Sequence, residues 1–390
     1  MEVNLMLNKK RFIVFLFVLV ICLGFSTLIF AQEPIKVGLI PPLSGAGAYD
    51  GGSIKRGALM AADEINKAGG MLGRPLKVII EDSESRPEIA VSAMVKLILS
   101  DKVSVVIGSF YSSCTKACIP IALRERIPIV NAASTSASLT EDPNVNHDWF
   151  FRVPPHDGML AKFFSKYIVE NLGLKRLALI YEDGEWGRGA AEVFVPAIKS
   201  FGGKVLLEEL YKMGETDFAP LITRLVGSNP DGIFIVVTSS DGAVFMRELR
   251  EIEAAKEIKI LNLGTLNTDV FMNLAGEDSE GIYVANAYVD SINTQANIEF
   301  VENYKKHYPG LPLPDKHVWG AYTSIYVIAE AIEMAGTDDP AAIRDALEKV
   351  SYTGLTGLIQ FDKKGQAWPN FYITKNVNDK RVLIEEVQTK

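Results

Sequence analysis

The stretch IKVGLIPPLSGAGAYDGGSIKRGALMAADEINKAG, residues 35–69, contains the unit on which the predicted fold is built. It begins with the apolar run IKVGLI (35–40), passes through a glycine-rich loop, and ends in a helical pattern over residues 57–69. An apolar, β-branched run followed by a loop and an amphipathic helix is typical of a βα unit. Residues 35–69 are therefore predicted to form a strand and the helix that covers it.

Apolar runs of this kind alternate with helical patterns in two series along the chain. The predicted strands cover residues 35–40, 77–82, 103–108 and 127–130 in the first series, and residues 177–182, 204–210, 232–237 and 259–263 in the second. Short apolar runs separated by helices favour parallel strands that are buried on both faces. The polar segment 131–144 between the two series is predicted to be a loop. We expect an α/β protein made of two doubly wound parallel-sheet lobes.

The N-terminal segment has the pattern of an export signal. Three basic residues, Lys9, Lys10 and Arg11, precede an almost unbroken apolar run over residues 12–30. This order predicts a signal peptide over residues 1–31 and places the rest of the chain on the periplasmic or extracellular face. The apolar run is close to the roughly 20 residues that span a bilayer, so an uncleaved N-terminal anchor is the alternative.

The composition and the motifs argue against several classes of function. The formal net charge is −8, so a nucleic-acid partner is not expected, because phosphate binding needs basic patches. Gly45, Gly47 and Gly51 are spaced one residue too widely for a dinucleotide fingerprint. The sequence contains no G-x-S-x-G elbow, P-loop or H-E-x-x-H motif, and its four histidines are scattered. We predict no catalysis, cofactor or metal site; an exported hydrolase would need a nucleophile and a base that the sequence does not show.

The loops after the predicted strands are the candidate site, because ligands of open parallel sheets bind beyond the carboxyl ends of the strands. Ser112 and Ser113 follow the third strand, and one of them is predicted to cap a helix that begins near Cys114. Ser134 and Thr135 follow the fourth strand. Hydroxyl groups and the free amides of a helix N-terminus suit a carboxylate ligand, whereas capping alone is the alternative role of the serines.

Two cysteines, Cys114 and Cys118, lie four residues apart on the same predicted helix. Side chains so placed on one helix face match the narrow geometry of a disulfide poorly. The C-x-x-C spacing of redox pairs and a nearby histidine for a metal site are both missing. We expect two free, buried thiols, with a local disulfide as the alternative.

Several segments occur in the order that one protein family shows. They are KVGLIPPLSGAGAYDGGSIKRGALMAADEIN, AGGMLGRPLKVIIEDSESRPEIAV, VVIGSFYSSC, PIVNAASTSASLT, FFRVPPHDG, LALIYEDGEWGRG and FDKKGQ. On these segments the sequence resembles the branched-chain amino-acid type (leucine/isoleucine/valine-binding) of periplasmic solute-binding protein, the receptor component of ABC importers. The resemblance implies the type I periplasmic binding fold, whose two lobes close on a ligand through a three-segment hinge.

The resemblance also implies lobe boundaries, a ligand and partners. Lobe 1 would comprise residues 35–154 and 287–365, and lobe 2 would comprise residues 155–286 and 366–390. The ligand would be an amino acid, branched-chain or related, captured by a monomer that delivers it to an ABC permease and ATPase complex in the membrane. A non-amino-acid carboxylate or amide is the alternative ligand, and a ligand sensor is the alternative function of the same fold.

Motif by motif, the resemblance assigns roles to single residues. The ligand α-carboxylate would bind Ser112, Ala133 and Thr135, in agreement with the loop argument. Asp157 would lie at the edge of the pocket, and Trp186 would cover the ligand from lobe 2.

The sequence departs from the family pattern at three places in the implied pocket. An acid that usually receives the ligand ammonium is replaced by Gly264, with Thr265 beside it. Thr238 replaces a tyrosine of lobe 2, and Asp50, with Tyr49 beside it, replaces a tryptophan of the first loop. The resulting hypothesis is that Asp50 or Asp157, rather than an acid of lobe 2, meets any cationic group of the ligand.

Overall fold

The computed structural model of the protein describes residues 33–389 and contains two large β-sheets. The predicted signal peptide, residues 1–31, and the alternative anchor lie outside the described residues. Within residues 33–389, no helix combines the length and the apolar character that a membrane crossing requires.

The first sheet has five strands that all pair in parallel. They are β1 (Ile35–Leu39), β2 (Leu76–Ile80), β3 (Val105–Ile107), β4 (Ile129–Asn131) and β5 (Phe150–Arg152), in the spatial order β2-β1-β3-β4-β5. The chain leaves β1 for the edge strand β2 and returns to β3 on the other side of β1. The strand order therefore reverses between β1 and β3, and a crevice for ligands forms at such a switch point.

The second sheet has seven strands and repeats this topology. Its strands are β6 (Arg176–Glu182), β7 (Lys204–Tyr211), β8 (Gly232–Val236), β9 (Lys259–Asn262), β10 (Tyr283–Asn286), β13 (Phe371–Val377) and β14 (Lys380–Val387); β11 (Tyr352–Gly354) and β12 (Gly357–Ile359) form a separate hairpin. The order is β14-β13-β10-β9-β8-β6-β7, with β13 and β14 antiparallel to their neighbours. The five parallel strands place a second switch point between β6 and β8.

Helices cover both faces of the sheets. They are α1 (Ala48–Lys67), α2 (Pro87–Leu99), α3 (Ser112–Glu125), α4 (Ser138–Glu141), α5 (Asp157–Lys166), α6 (Glu185–Ser200), α7 (Ala219–Gly227), α8 (Ser239–Arg250), α9 (Asp269–Ala275), α10 (Gln295–His307), α11 (Lys316–Ala335) and α12 (Pro340–Leu347). Separate hydrophobic clusters lie on the two faces of the second sheet, one around Phe245 of α8 and one around Phe164 of α5.

Helix α11 packs lengthwise against α1, although the two lie far apart in the sequence. Trp319 of α11 lies in the same hydrophobic cluster as Val37 of β1. Gly57 of α1 permits the close approach, because a Cβ atom there would lie 2.2 Å from the carbonyl oxygen of Val318. The packing brings the first residues of α11 to the carboxyl end of the first sheet.

All eight predicted strands are present, with ends within two residues of the predicted ones. Strands β5, β10, β13 and β14 and the hairpin are additional to the prediction, and the predicted loop 131–144 contains the short helix α4. Strands β2 and β7 lie at sheet edges and are only partly buried, so the expectation of burial on both faces is wrong for these two. The lobe boundaries after residues 154, 286 and 365 stay a prediction.

Helix α3 begins at Ser112, with Tyr111 as its N-cap residue and no side-chain cap. The prediction that Ser112 or Ser113 caps a helix beginning near Cys114 is therefore wrong, because the helix begins two residues earlier. Cys114 and Cys118 are both free and buried, as predicted. Burial raises the pKa of the Cys114 thiol to about 11 and that of the Cys118 thiol to about 12, which makes both thiols unreactive at neutral pH.

Candidate ligand-binding cleft

One cavity lies between the two sheets, and the loops at both switch points line it. Its residues are Ala46, Tyr49, Asp50, Phe110, Tyr111, Ser112, Ala133 and Thr135 from the first sheet, Glu182, Trp186, Met213, Thr238, Ser239, Ser240, Thr265 and Val270 from the second, and Lys316 and His317 from α11. Its volume of about 90 Å³ is room for roughly six to nine non-hydrogen atoms, at about 10–15 Å³ per water-sized group. The cavity therefore suits a molecule of amino-acid size.

The first sheet supplies small polar groups to the cavity. Ser112 occupies the first turn of α3, so its hydroxyl and the free amides of that turn lie at the carboxyl end of β3. Thr135 and Ala133 come from the loop after β4. These are the groups that suit a carboxylate, and the structure brings all three to the same cavity.

Two of the predicted site residues line neither this cavity nor the smaller one that adjoins it. The Ser134 hydroxyl donates to the carbonyl oxygen of Ser109 at 2.8 Å and lies 2.7 Å from the Thr115 hydroxyl, so it ties the β3 and β4 loops together. Ser113 is adjacent to Ser112 on α3 but is not part of the lining.

The second sheet contributes Trp186, Thr238 and Thr265. The Thr238 side chain caps α8 by accepting from the backbone amide of Asp241 at 3.2 Å. The Thr265 hydroxyl donates to the carbonyl oxygen of Val237 at 2.7 Å. Both threonines thus fix the loops after β8 and β9 while their side chains border the cavity.

Glu182 is a lining residue that the sequence analysis missed. It ends β6, at the second switch point, and its carboxylate accepts from the backbone amides of Gly184 and of Gly187, the latter at 2.6 Å. These bonds at the start of α6 stabilise the carboxylate, although burial raises the pKa of Glu182. An acidic residue at the carboxyl end of a predicted strand was the available signal.

Asp157 and Gly264 line a smaller adjoining cavity of about 20 Å³, which shares Ala133, Thr135, Lys316 and His317 with the main one. Asp157 begins α5, and its backbone amide donates to the carbonyl oxygen of Thr135 at 2.8 Å. Within residues 33–389, neither carboxylate oxygen of Asp157 has a hydrogen-bond partner. Burial raises the pKa of this carboxyl to about 7.

Asp50 lies against His317 in the main cavity, with Oδ1 3.5 Å from Nε2. Neither of these two atoms has a hydrogen-bond partner in the described part of the chain. Burial, with a smaller contribution from Asp315, raises the pKa of Asp50 to about 7, and burial lowers the pKa of His317 to about 3. His317 is therefore neutral at neutral pH, and both side chains are available to a ligand.

Lys316 is another lining residue that the sequence analysis missed, and it borders both cavities. It is the first residue of α11, whose N-cap, Asp315, accepts from the amides of His317 and Val318 at 2.9 and 3.0 Å. Burial lowers the pKa of Lys316, against the attraction of three nearby carboxyls. No motif marks this lysine, because it reaches the cavity only through the packing of α11 on α1.

Two contacts join the walls across the cleft beside the cavity. Lys116 of α3 lies with its Nζ 2.9 Å from Glu185 Oε1 of α6. The Ser138 hydroxyl of α4 donates to the same carboxylate at 2.5 Å. The described conformation is therefore one in which the two sheets enclose the cavity.

Comparison with known proteins shows which family and which relatives the sequence resembles. A family model described as periplasmic binding protein matches residues 34–381. A leucine-, isoleucine-, valine-, threonine- and alanine-binding protein from Pseudomonas aeruginosa is 27% identical over 344 residues, which are 88% of this chain and 89% of that protein.

Solved structures share the architecture. LivJ from Streptococcus pneumoniae, the substrate-binding protein of a branched-chain amino acid transporter in complex with isoleucine, has a TM-score of 0.82 at 25% identity, over 90% of this chain and 99% of that one. A solute-binding protein of an ABC transporter from Rhodopseudomonas palustris, in complex with 3,4-dihydroxybenzoic acid, has a TM-score of 0.82 at 24% identity, over 92% of this chain and 98% of that one. The predicted fold is thereby confirmed.

Proposed function

The chain belongs to the periplasmic binding protein family, and we propose that it is the receptor of an ABC importer, which captures a small amino acid or related carboxylate between its two sheets. The observation that carries the proposal is the cavity lined by the switch-point loops of both sheets. A site divided between two rigid bodies binds its ligand by closing on it. Capture and release need no nucleophile or base.

The polar groups of the first sheet support a carboxylate as the common feature of the ligand. Ser112 and Thr135 would supply two hydroxyls to it, close to the N-terminus of α3. Ala133 lines the same place, but its backbone amide donates to Asn131 Oδ1 at 3.1 Å. Trp186 and Phe110 would provide apolar contacts for the rest of the ligand. The names of the compared proteins fit this range, since one complex holds isoleucine and another holds an aromatic acid.

The proposal includes the location and the partners of the protein. The chain would be exported by its N-terminal signal, act as a monomer outside the cytoplasmic membrane, and deliver its ligand to a permease and ATPase complex. No catalytic role is part of the proposal.

A thermal-shift screen across amino acids, amides and aliphatic or aromatic carboxylates tests the proposal. A ligand at 100 times its Kd stabilises the native state by about 2.7 kcal/mol, which corresponds to a shift in Tm of roughly 3–5 °C for a chain of this size. We expect at least one amino acid or carboxylate to produce such a shift in the wild type and a smaller one in the variant Thr135→Val. A screen in which no organic acid raises Tm would refute the proposed function.

A further inference from the structure

The ammonium group of Lys316 borders the cavity without a partner in the protein. Within residues 33–389, no acceptor lies at hydrogen-bonding distance from Nζ, and no carboxylate oxygen lies within 4.0 Å of it. The nearest acid in sequence, Asp315, is engaged elsewhere, because Oδ1 accepts from two amides of α11 and Oδ2 accepts from the Ser53 hydroxyl at 3.1 Å. A cation that has lost part of its hydration and has no partner is costly, so its position is best explained by a partner that the ligand supplies.

The surroundings of Lys316 hold its ammonium beside the carboxylate-binding groups. A Cβ atom on Gly264 would lie 2.5 Å from Nζ, so the lysine packs against bare backbone of the second sheet. Ala133 and Thr135 line the same two cavities as Lys316. A ligand in these cavities therefore borders the lysine and both of these residues.

The other titratable groups that line the cavity do not require the ligand to carry a cationic group. Burial raises the pKa of Asp50 and that of Asp157 to about 7, so near pH 7 each carboxyl is about half protonated and can donate a hydrogen bond to a ligand oxygen. His317, packed between Asp50 and Phe110, is neutral. The carboxylate of Glu182 is held by amides at the start of α6.

We propose that Lys316 binds the anionic group of the ligand and that the ligand is a small carboxylate without an α-ammonium group. In an α-amino acid a single carbon separates the two charged groups, so a carboxylate on Lys316 would bring the ligand ammonium close to the lysine ammonium. Repulsion between like charges at that distance in a partly dry cavity lowers affinity tenfold or more. This inference rests on the proposed function, whose ligand class it narrows.

Pairs of ligands that differ only in the α-ammonium test the inference by calorimetric titration. The pairs are 4-methylpentanoate with leucine and 3-methylbutanoate with valine, which have seven to nine non-hydrogen atoms and so match the cavity. If neither pair binds, the corresponding pair is made for the strongest hit of the thermal-shift screen. We expect the wild type to bind the plain carboxylate at least tenfold more tightly than its amino acid. Lys316→Met is expected to lose at least tenfold of the affinity for the carboxylate, whereas the exposed control Lys306→Met keeps the wild-type affinity.

Stability measurements separate a binding role of Lys316 from a structural one. Removing an unpaired, partly buried charge is expected to leave Tm without ligand unchanged or raised, whereas loss of a structural lysine lowers it. The inference is overturned if the wild type prefers the amino acid of a pair, or if Lys316→Met keeps its affinity for the carboxylate. If Lys316→Met does not fold, the ratio of the wild-type affinities for the carboxylate and for its amino acid still tests the inference. Tight amino-acid binding would overturn this inference and leave the proposed function standing, while the absence of any organic-acid ligand would overturn the proposed function.

Discussion

Gly264 is the residue at which the backbone of the second sheet meets the ammonium of Lys316. Its φ of +74° lies in the left-handed region that favours glycine, and a Cβ atom would lie 2.5 Å from Nζ. Glycine is thus required here for two reasons, one of backbone conformation and one of contact. The same residue stands where the family resemblance leads one to expect an acid, and the space of that acid is occupied by the lysine.

The substitution Gly264→Ala separates these two requirements. We expect it to destabilise the protein by about 1–2 kcal/mol through its backbone conformation and to lower ligand affinity at least fivefold by displacing Lys316. The matched control is Gly281→Ala, because Gly281 has a φ of +81° and open space around its Cβ position. Urea unfolding and calorimetry check both effects. Equal affinities of the two variants would contradict the contact between Gly264 and Lys316.

A second prediction at the residue scale concerns Asp157 and pH. Its pKa is about 7 in the folded protein because of burial, whereas an aspartate of an unfolded chain titrates near 3.9. Between pH 4 and pH 7 the folded state therefore holds a proton that the unfolded state releases. The contribution of this carboxyl to stability is present below about pH 4 and is lost as the pH rises through 7.

Asp157→Asn is expected to remove the loss of stability that accompanies deprotonation of Asp157 as the pH rises. Relative to the wild type, the variant without ligand should gain about 2.5 kcal/mol of stability between pH 5 and pH 8. Urea unfolding at the two pH values measures the difference, and the exposed Asp148→Asn serves as control. A variant whose stability follows the wild-type pH dependence would show that Asp157 is not the titrating group.

At the scale of elements, helices α3 and α6 follow the strands that flank the two switch points, and they contact each other across the cleft. The ion pair between Lys116 and Glu185 forms only when the walls are together, so it stabilises the closed conformation. Its side chains remain 37% and 27% exposed, which limits its contribution to about 0.5–1 kcal/mol. The ion pair is therefore expected to affect ligand affinity more than the stability of either sheet.

Glu185→Gln is expected to lower ligand affinity about two- to fivefold, because the closed form loses the pair and the open form loses nothing. The unfolding free energy without ligand should change by less. Glu348→Gln is a suitable control, because its ion pair with Arg344 lies within one segment of the chain. Calorimetry at low and high salt checks the prediction, and an affinity of the variant that equals the wild type at low salt would contradict it.

At the scale of the whole molecule, two sheets with the same strand order present their switch points to each other, and closure completes the cavity. Gly189 of α6 comes close to the opposite wall, since a Cβ atom there would lie 2.8 Å from the Ser136 hydroxyl. A larger side chain at this place meets the other sheet only in the closed conformation. It therefore acts on the hinge motion rather than on the fold.

Gly189→Leu is expected to hold the cleft open. Ligand affinity should fall at least tenfold, while stability without ligand should stay the same or rise by about 1 kcal/mol, because leucine favours a helix more than glycine does. Small-angle scattering should show no compaction of this variant on addition of ligand. The control Gly227→Leu lies in α7 with open space around it and should close as the wild type does. Compaction and wild-type affinity in Gly189→Leu would refute closure at this interface.

The extent to which the sequence predicts this protein follows from the range of the interactions involved. The alternation of apolar runs and helical patterns is local, and it located the parallel strands and the loops after them, so that Ser112 and Thr135 could be proposed for the site. The family resemblance added Trp186 and Thr265. The start of α3 was misplaced because serines near a helix start are cap candidates whether or not the backbone uses them. Strand β13 pairs with the distant strand β10, which no local pattern predicts, whereas β14 pairs with β13 alone across the two-residue turn 378–379, a hairpin that the prediction missed.

By itself the sequence determined the class of the fold, its two series of βα units and the small polar groups at the strand ends. Only the tertiary structure decided which charges these groups meet. Packing of α11 against α1 carries Lys316 and His317 to loops that precede them by some 200 residues, and the bare backbone of Gly264 leaves room for the lysine. The charge of an enclosed site is set by all the side chains that folding brings within a few ångströms, and these side chains come from distant segments of the chain.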